Sequence, residues 1–225
     1  MLCVELQLAY GLLFFSFVRV VYKWTLTWFR FSLVCLCSMS CVWILGHGFV
    51  RRFGEEVAFR LDQLHPGVKV HVKGIGGSKV RDVGDRLWLH SPAPELILLH
   101  VGEDDVLDLS PSALVSSLLQ KVDMLHEETG AMVLVVPLHP RVQPSPQFRR
   151  YNDLAKQVNR LLRFYAVRHP GGHMVFPRFN TAVNPNNTGN SRVSSHFDSM
   201  GVHPVGVYQE RYLRACVAAL RSRLN

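Results

Sequence analysis

The sequence predicts an α/β domain, a three-layer αβα sandwich around a mostly parallel five-stranded sheet. Three observations carry this. From residue 41 onward, short apolar runs recur along the chain. Stretches of helical period separate them, and glycine-containing turns follow several of them. Runs that are apolar throughout suit strands covered on both faces, which is the condition of a parallel sheet with helices on either side.

The first strand is Cys41-Val-Trp-Ile-Leu45, ending in Gly46-His47-Gly48. Phe49, Phe53, Val57, Leu61 and Leu64 then recur near helical spacing, so Phe49–Leu64 reads as an amphipathic helix, stopped by His65-Pro66-Gly67. Val68–Val72 alternates apolar and basic residues as a strand does, and Gly74-Ile75-Gly76-Gly77 is a loop. Lys79–His90 reads as a weaker helix. Glu95–His100 is a buried strand, followed by the turn Val101-Gly102-Glu103-Asp104-Asp105.

Ser110-Pro111 opens the next helix, with serine as N-cap and proline at the first helical position. Its apolar face is Leu114, Val115, Leu118, Leu119, Val122 and Leu125, and Thr129-Gly130 ends it. Ala131–Val136 is a continuous apolar strand, and Pro137–Pro146 is a proline-rich loop. A long helix from Gln147 to Arg168 turns Tyr151, Leu154, Val158, Leu161 and Tyr165 inward. His173–Phe176 is a short strand, Phe179–Ser199 an irregular Asn/Ser-rich loop, and Val205–Arg223 the last helix.

Residues 1–40 are of another kind: apolar and aromatic, interrupted by Arg19, Lys23 and Arg30. Leu6–Val18 and Phe31–Gly46 are uncharged, but both fall short of the roughly 20 apolar residues a spanning helix needs. The start Met-Leu-Cys-Val-Glu lacks the positive region of a signal peptide. Three readings stay open for this segment. It is a membrane anchor in which Arg19 and Lys23 snorkel, an accessory helix packed on the domain, or an extension with no structure of its own.

Composition bounds the function only loosely. The 225 residues suffice for one domain plus a segment, and 48% hydrophobic with 19% charged residues excludes disorder by composition. The net charge of +8 favours acidic partners such as nucleic acid or anionic membrane, but the basic residues are scattered rather than clustered. Of the five cysteines, Cys3, Cys35, Cys37 and Cys41 lie near the N-terminus and only Cys216 lies beyond. Their odd count and spacing suit neither a disulfide framework nor a paired-knuckle zinc site, so a reduced, cytoplasmic setting is expected. Membrane anchoring through residues 1–40 is the alternative. No cofactor and no metal are expected, and the domain is expected to be a monomer.

In doubly wound sheets the ligand crevice lies at the carboxyl ends of the strands. Gly46-His47-Gly48, Gly74–Gly77 and Gly102–Asp105 all fall there. Together these loops resemble the SGNH hydrolases, also called GDSL esterases, over residues 41–222, and the resemblance implies a flavodoxin-like sheet. Ile44-Leu45-Gly46-His47-Gly48-Phe49-Val50 is similar to the family's first block, where Gly-Asp-Ser or Gly-His-Ser places the nucleophile. Gly74-Ile75-Gly76-Gly77 is similar to the second, whose glycine N–H serves the oxyanion hole. His100-Val101-Gly102-Glu103-Asp104-Asp105 is similar to the third, usually Gly-x-Asn-Asp. Met200-Gly201-Val202-His203 is similar to the last, usually Asp-Gly-Val-His. The chain also resembles a group of animal SGNH-like proteins, some related to esterase domains of retrotransposon open reading frames.

Such a site needs a serine to attack an ester carbonyl, a histidine to take its proton and an aspartate to orient that histidine. Backbone N–H groups and an asparagine amide stabilise the oxyanion, each donor contributing a few kcal/mol. This chain departs from the pattern at three places. Gly48 stands where the resemblance puts the nucleophile. Asp104 replaces the asparagine, and an ionised carboxylate repels a developing oxyanion. Met200 replaces the orienting aspartate.

The resemblance leaves His203 as general base, with Gly77 and Gly48 supplying oxyanion N–H groups beside Asp104. Asp198, two residues before Met200, is the substitute orienter if the loop bends. His47 has no visible nucleophile to serve, and His100 reads as a satisfied core histidine. Asp104, Asp105 and Asp108 read as a solvated or capping acidic loop rather than a metal site.

The first expectation is therefore an SGNH-type esterase-like domain, catalytically impaired, that binds a small ester, an acylated ligand or a protein partner. The alternatives are an active esterase with Ser78 as displaced nucleophile beside His203 and Asp198, and a nucleic-acid-associated accessory domain of retroelement origin. A decaying copy without selected function is the bland alternative.

Overall fold

The computed structural model describes residues 40–83, 92–141, 146–169, 171–177, 197–198, 200, 202–203 and 205–224. All lie within the unit Ser40–Asn225. The expectations for residues 1–39, for the loop 178–196 and for residues 84–91 fall outside the described residues. Among the described residues, no helix is long and apolar enough to cross a membrane.

Five strands form one sheet: β1 (Cys41–Gly46), β2 (Lys69–Gly74), β3 (Leu96–His100), β4 (Met132–Val135) and β5 (Met174–Val175). Their order is β2-β1-β3-β4-β5, and every neighbouring pair is parallel. The chain thus winds outward in both directions from β1, and the strand order switches sides between β1 and β3, where ligands bind in such sheets.

Among the described residues four α-helices cover the two faces: α1 (Gly48–Leu64), α2 (Pro111–Thr129), α3 (Pro146–Arg168) and α4 (Val207–Leu224). Alternation along the strands sends successive side chains to opposite cores. Trp43, Leu45, Ile97, Leu99, Val133 and Val135 pack under α2 and α3. Val42, Ile44, Leu96, Leu98 and Leu134 pack under α1 and α4. Both cores are drawn from the central strands, which is why those strands read as unbroken apolar runs.

Three elements differ from expectation. The helix expected over Lys79–His90 is, within its described part, a single 3₁₀ turn at Val80–Asp82, followed by an extended Val83. Side chains cap the amides that open this turn. Asp82 Oδ2 accepts from the Lys79 N–H at 2.8 Å, and Asp105 Oδ2 from the Val80 N–H at 3.0 Å. On α3 the buried stripe is Tyr151, Ala155, Val158 and Leu162. Tyr165 is 42% exposed rather than inward, its place in the stripe ending at Leu162. The last strand shortens to two residues.

Candidate active site

β1 ends at Gly46, where the chain turns into α1. An added Cβ there would lie 1.9 Å from the His100 carbonyl oxygen, so only glycine allows β1 to pass this close to the end of β3. The His47 N–H donates to that carbonyl at 3.1 Å, and the Arg51 N–H donates back to the His47 carbonyl to open α1. Gly48 is thereby held at the first turn of α1, facing the crevice at the carboxyl ends of β1 and β3.

A cavity of about 190 Å³ lies there. Gly48, Gly76, Gly77, Glu103, Asp104, Arg141 and His203 are among its lining residues. Val202 and His203 bring the C-terminal loop to the same place, so the four sequence blocks converge on one crevice.

His203 is joined to Asp198. Its Nδ1 lies 2.8 Å from Asp198 Oδ2. Asp198 Oδ1 also accepts the backbone N–H groups of Val202 (3.1 Å) and His203 (3.3 Å), and the Asp198 N–H donates to the His203 carbonyl at 2.9 Å. These bonds close the loop into a tight turn that carries the carboxylate under the ring. Met200, at the position of the missing aspartate, points outward and is 66% exposed. Burial opposes the charge on Asp198. The hydrogen bonds from His203, the two backbone amides and Arg52 outweigh it, and its pKa falls to about 2. Arg52 Nη1 sits 3.1 Å from Oδ2. Nothing in the local pattern of α1 marked Arg52 as a partner for a residue 146 positions away.

The other imidazole nitrogen faces Gly48. A Cβ added at Gly48 would lie 3.5 Å from His203 Nε2, an ordinary contact, and among the described residues beyond its own helix Nε2 is the one atom it would meet within 4 Å. The histidine–carboxylate pair therefore aims at the place where a nucleophile side chain would start.

Behind the cavity lies a buried polar cluster. The Glu103 carboxylate bridges His47 Nε2 (2.7 Å) and His100 Nε2 (2.7 Å). Tyr212 Oη is 2.8 Å from His100 Nδ1. Burial alone would raise the Glu103 pKa, but the two imidazoles hold it well below the carboxylate range. Burial lowers His100. For His47 burial also works against the charge, yet Glu103 and then Asp104 outweigh it and the pKa rises. The consistent assignment is an anionic Glu103 paired with a cationic His47, with a neutral His100 donating from Nε2 and accepting the Tyr212 hydroxyl proton at Nδ1. His139, pushed down to about 3 first by burial and then by His100, is a neutral ring stacked on Phe49 at 5.1 Å. His100, expected in the core, is fully buried there.

Asp104 lines the cavity, with Arg141 Nη2 at 3.8 Å and His47 Nδ1 at 3.9 Å. Its charge is thus faced by two cations. Arg141 was not singled out by sequence. Its backbone is clamped by Asn152, which accepts from its N–H at 2.8 Å and donates to its carbonyl at 2.7 Å. Its guanidinium lies 4.2 Å from the centre of the Tyr151 ring. Asp105 and Asp108 turn away from the cavity. Asp105 caps the Val80 amide and Asp108 pairs with Lys79 at 2.7 Å.

Gly77, the expected oxyanion donor of the second block, lines the cavity with φ of +74°. Ser78 does not line it. Its hydroxyl donates to the Ile75 carbonyl at 2.9 Å, holding the Gly76-Gly77 turn. Among the described residues that line the cavity there is no serine, threonine or cysteine.

No family model matches the chain, and no curated protein matches it. Solved structures do. A member of the lipolytic G-D-S-L family from Veillonella parvula superposes with a TM-score of 0.57 at 17% identity, covering 81% of this chain and 97% of that one. A lipase/acylhydrolase from Enterococcus faecalis gives 0.62 at 14%, with 82% and 97% covered. TesA gives 0.58 at 19%, with 81% and 99% covered. At these identities the likeness is one of fold, and with the five-stranded parallel sheet and the converging loops it gives the chain the α/β fold of the GDSL/SGNH lipolytic hydrolases.

Proposed function

We propose that the chain is an SGNH-type esterase-like domain that binds a small ester or acylated ligand without efficient turnover. One observation carries this: the His203–Asp198 pair is assembled and aimed, and its target, 3.5 Å from an added Cβ, is Gly48. Without a nucleophile there is no acyl-enzyme, and with Asp104 in place of an amide the oxyanion loses a donor. What remains is a cavity of about 190 Å³, large enough for a short acyl group and its carbonyl. Ser78 is a poor substitute nucleophile because its hydroxyl is given to the Ile75 carbonyl.

Two measurements on the full chain test this. Hydrolysis of a short-chain aryl ester is compared between the native chain and His203→Ala, and binding of ethyl butyrate is followed by ligand-detected NMR. The expected result is equal, background-level hydrolysis and saturable binding. Native turnover that disappears in His203→Ala would overturn the impaired-enzyme reading, and absent binding would overturn the ligand site.

A further inference from the structure

The opposite end of the sheet carries a second cluster of metal-ligating side chains, to which the esterase-like reading assigns no part. Asp123 lies on α2, His169 follows the last residue of α3, and His173 directly precedes β5. His169 Nε2 is 3.1 Å from Asp123 Oδ1, and His173 Nε2 is 3.0 Å from the same oxygen. The three ligand atoms all lie within 4.8 Å of one another. Because His173 stands before β5 rather than after it, the cluster sits at the amino ends of the strands, away from the Gly48 crevice.

Two imidazole nitrogens converge on a single carboxylate oxygen, an arrangement that a divalent cation held by all three groups also produces. Tetrahedral zinc with bonds of about 2.0–2.1 Å to nitrogen and oxygen sets its ligand atoms roughly 3.3 Å apart, close to the two histidine–carboxylate edges of 3.1 and 3.0 Å. In sequence the two histidines are His169-Pro-Gly-Gly-His173, a spacing of three intervening residues that falls within the range of zinc sites. The rings are also held in place. His173 stacks on His126 with centroids 3.9 Å apart and planes 3° from parallel. His126 is itself fixed by its Nδ1, 2.8 Å from the Ala131 carbonyl oxygen. Gly171 makes room, since a Cβ there would lie 2.2 Å from His173 Nδ1.

We infer that Asp123, His169 and His173 form a binding site for a divalent transition metal of the zinc class, with solvent completing the coordination. The two histidines are largely buried and Asp123 is 47% exposed, which leaves the carboxylate side open to water. Bound metal ties α2, the end of α3 and the start of β5 together. Its role is structural, and it is independent of hydrolysis at the other end of the sheet.

The test uses the full chain, purified without a histidine tag and stripped with a chelator. Zn²⁺ is titrated by calorimetry, and Co²⁺ by its visible absorption. The expected result is one ion per chain at micromolar affinity or tighter, with tetrahedral Co²⁺ bands and a rise in melting temperature. Loss of even an outer-shell partner weakens metal sites about 10–100-fold. Asp123→Asn, near-isosteric and half-exposed, and His173→Ala are each expected to weaken binding by at least that much. Glu103→Gln, which alters the other histidine–carboxylate cluster (His47, His100, Glu103), is expected to leave it unchanged. No binding at micromolar metal, or binding retained unweakened in Asp123→Asn and His173→Ala, overturns the assignment.

Discussion

Gly48→Ser is the substitution that bears most directly on the crevice. The glycine lies in the first turn of α1, and among the described residues beyond α1 the atom within 4 Å of an added Cβ is His203 Nε2 at 3.5 Å. A serine therefore fits without displacing backbone, and its Oγ, one bond further out, can come within the 2.6–3.2 Å reach of the imidazole. The size of the gain follows from two opposed effects. Removing the serine from a complete triad costs about 10⁶ in kcat. Missing one oxyanion donor costs about 10²–10³, and here Asp104 stands in the donor's place. Regaining the first without the second predicts hydrolysis of an aryl acetate roughly 10³–10⁴ above the native chain, about 4–5 kcal/mol of transition-state stabilisation.

The assay is steady-state release of the aryl alcohol, with Gly48→Ser/His203→Ala as the paired variant, which should return to background. A fluorophosphonate label located by mass spectrometry reports the nucleophile separately. A folded Gly48→Ser chain that neither turns over ester nor takes up the label would refute the claim that His203 is aimed at residue 48. Labelling without turnover would place the failure in the oxyanion hole, and Asp104→Asn added to Gly48→Ser should then raise the rate.

Three further outcomes follow from the same geometry. Asp198 titrates at about 2 in the folded chain, below the ordinary value of about 3.9. Its stabilising contribution is therefore complete above about pH 4 and is lost as pH falls toward 2. Discounted for solvent screening it amounts to about 1 kcal/mol, so thermal melts of native and Asp198→Asn chains should converge on acidification over that window. Glu103→Ala takes from the buried, cationic His47 its near counter-charge at 2.7 Å and leaves only Asp104 at 3.9 Å; a loss of about 3 kcal/mol is expected, read as a melting temperature lower by about 10 °C. Gly46→Ala puts a methyl 1.9 Å from the His100 carbonyl, and soluble expression with native circular dichroism should be lost; a normally folded variant would show that β1 and β3 can part at this point.

Particular residues show where the sequence was legible. Val42 to Leu45, Leu96 to Leu99 and Val133 to Val135 alternate between two cores, and their unbroken apolar character announces a sheet covered on both faces. Ser110 accepts from the Ala113 N–H at 3.3 Å with Pro111 at the first helical position, as its residue type implies. Of the helix expected over Lys79–His90, the described part is one 3₁₀ turn ending in an extended Val83, and no local pattern told that the Asp105 carboxylate, from the loop after β3, caps its Val80 amide.

By itself the sequence determined the strand–helix alternation, the order of the glycine turns, and the absence of a hydroxyl at position 48. These depend on periodicity and residue identity over a few neighbours. Only the tertiary structure decided that Asp198 closes under His203, that Arg52 and Arg141 reach the crevice, that Glu103 lies between His47 and His100, and that Asp123 meets His169 and His173. Each of these pairings joins separate elements, or bends a loop against its spacing. Winding five strands outward from β1 is what brings such residues within hydrogen-bond reach, and no local pattern encodes that convergence.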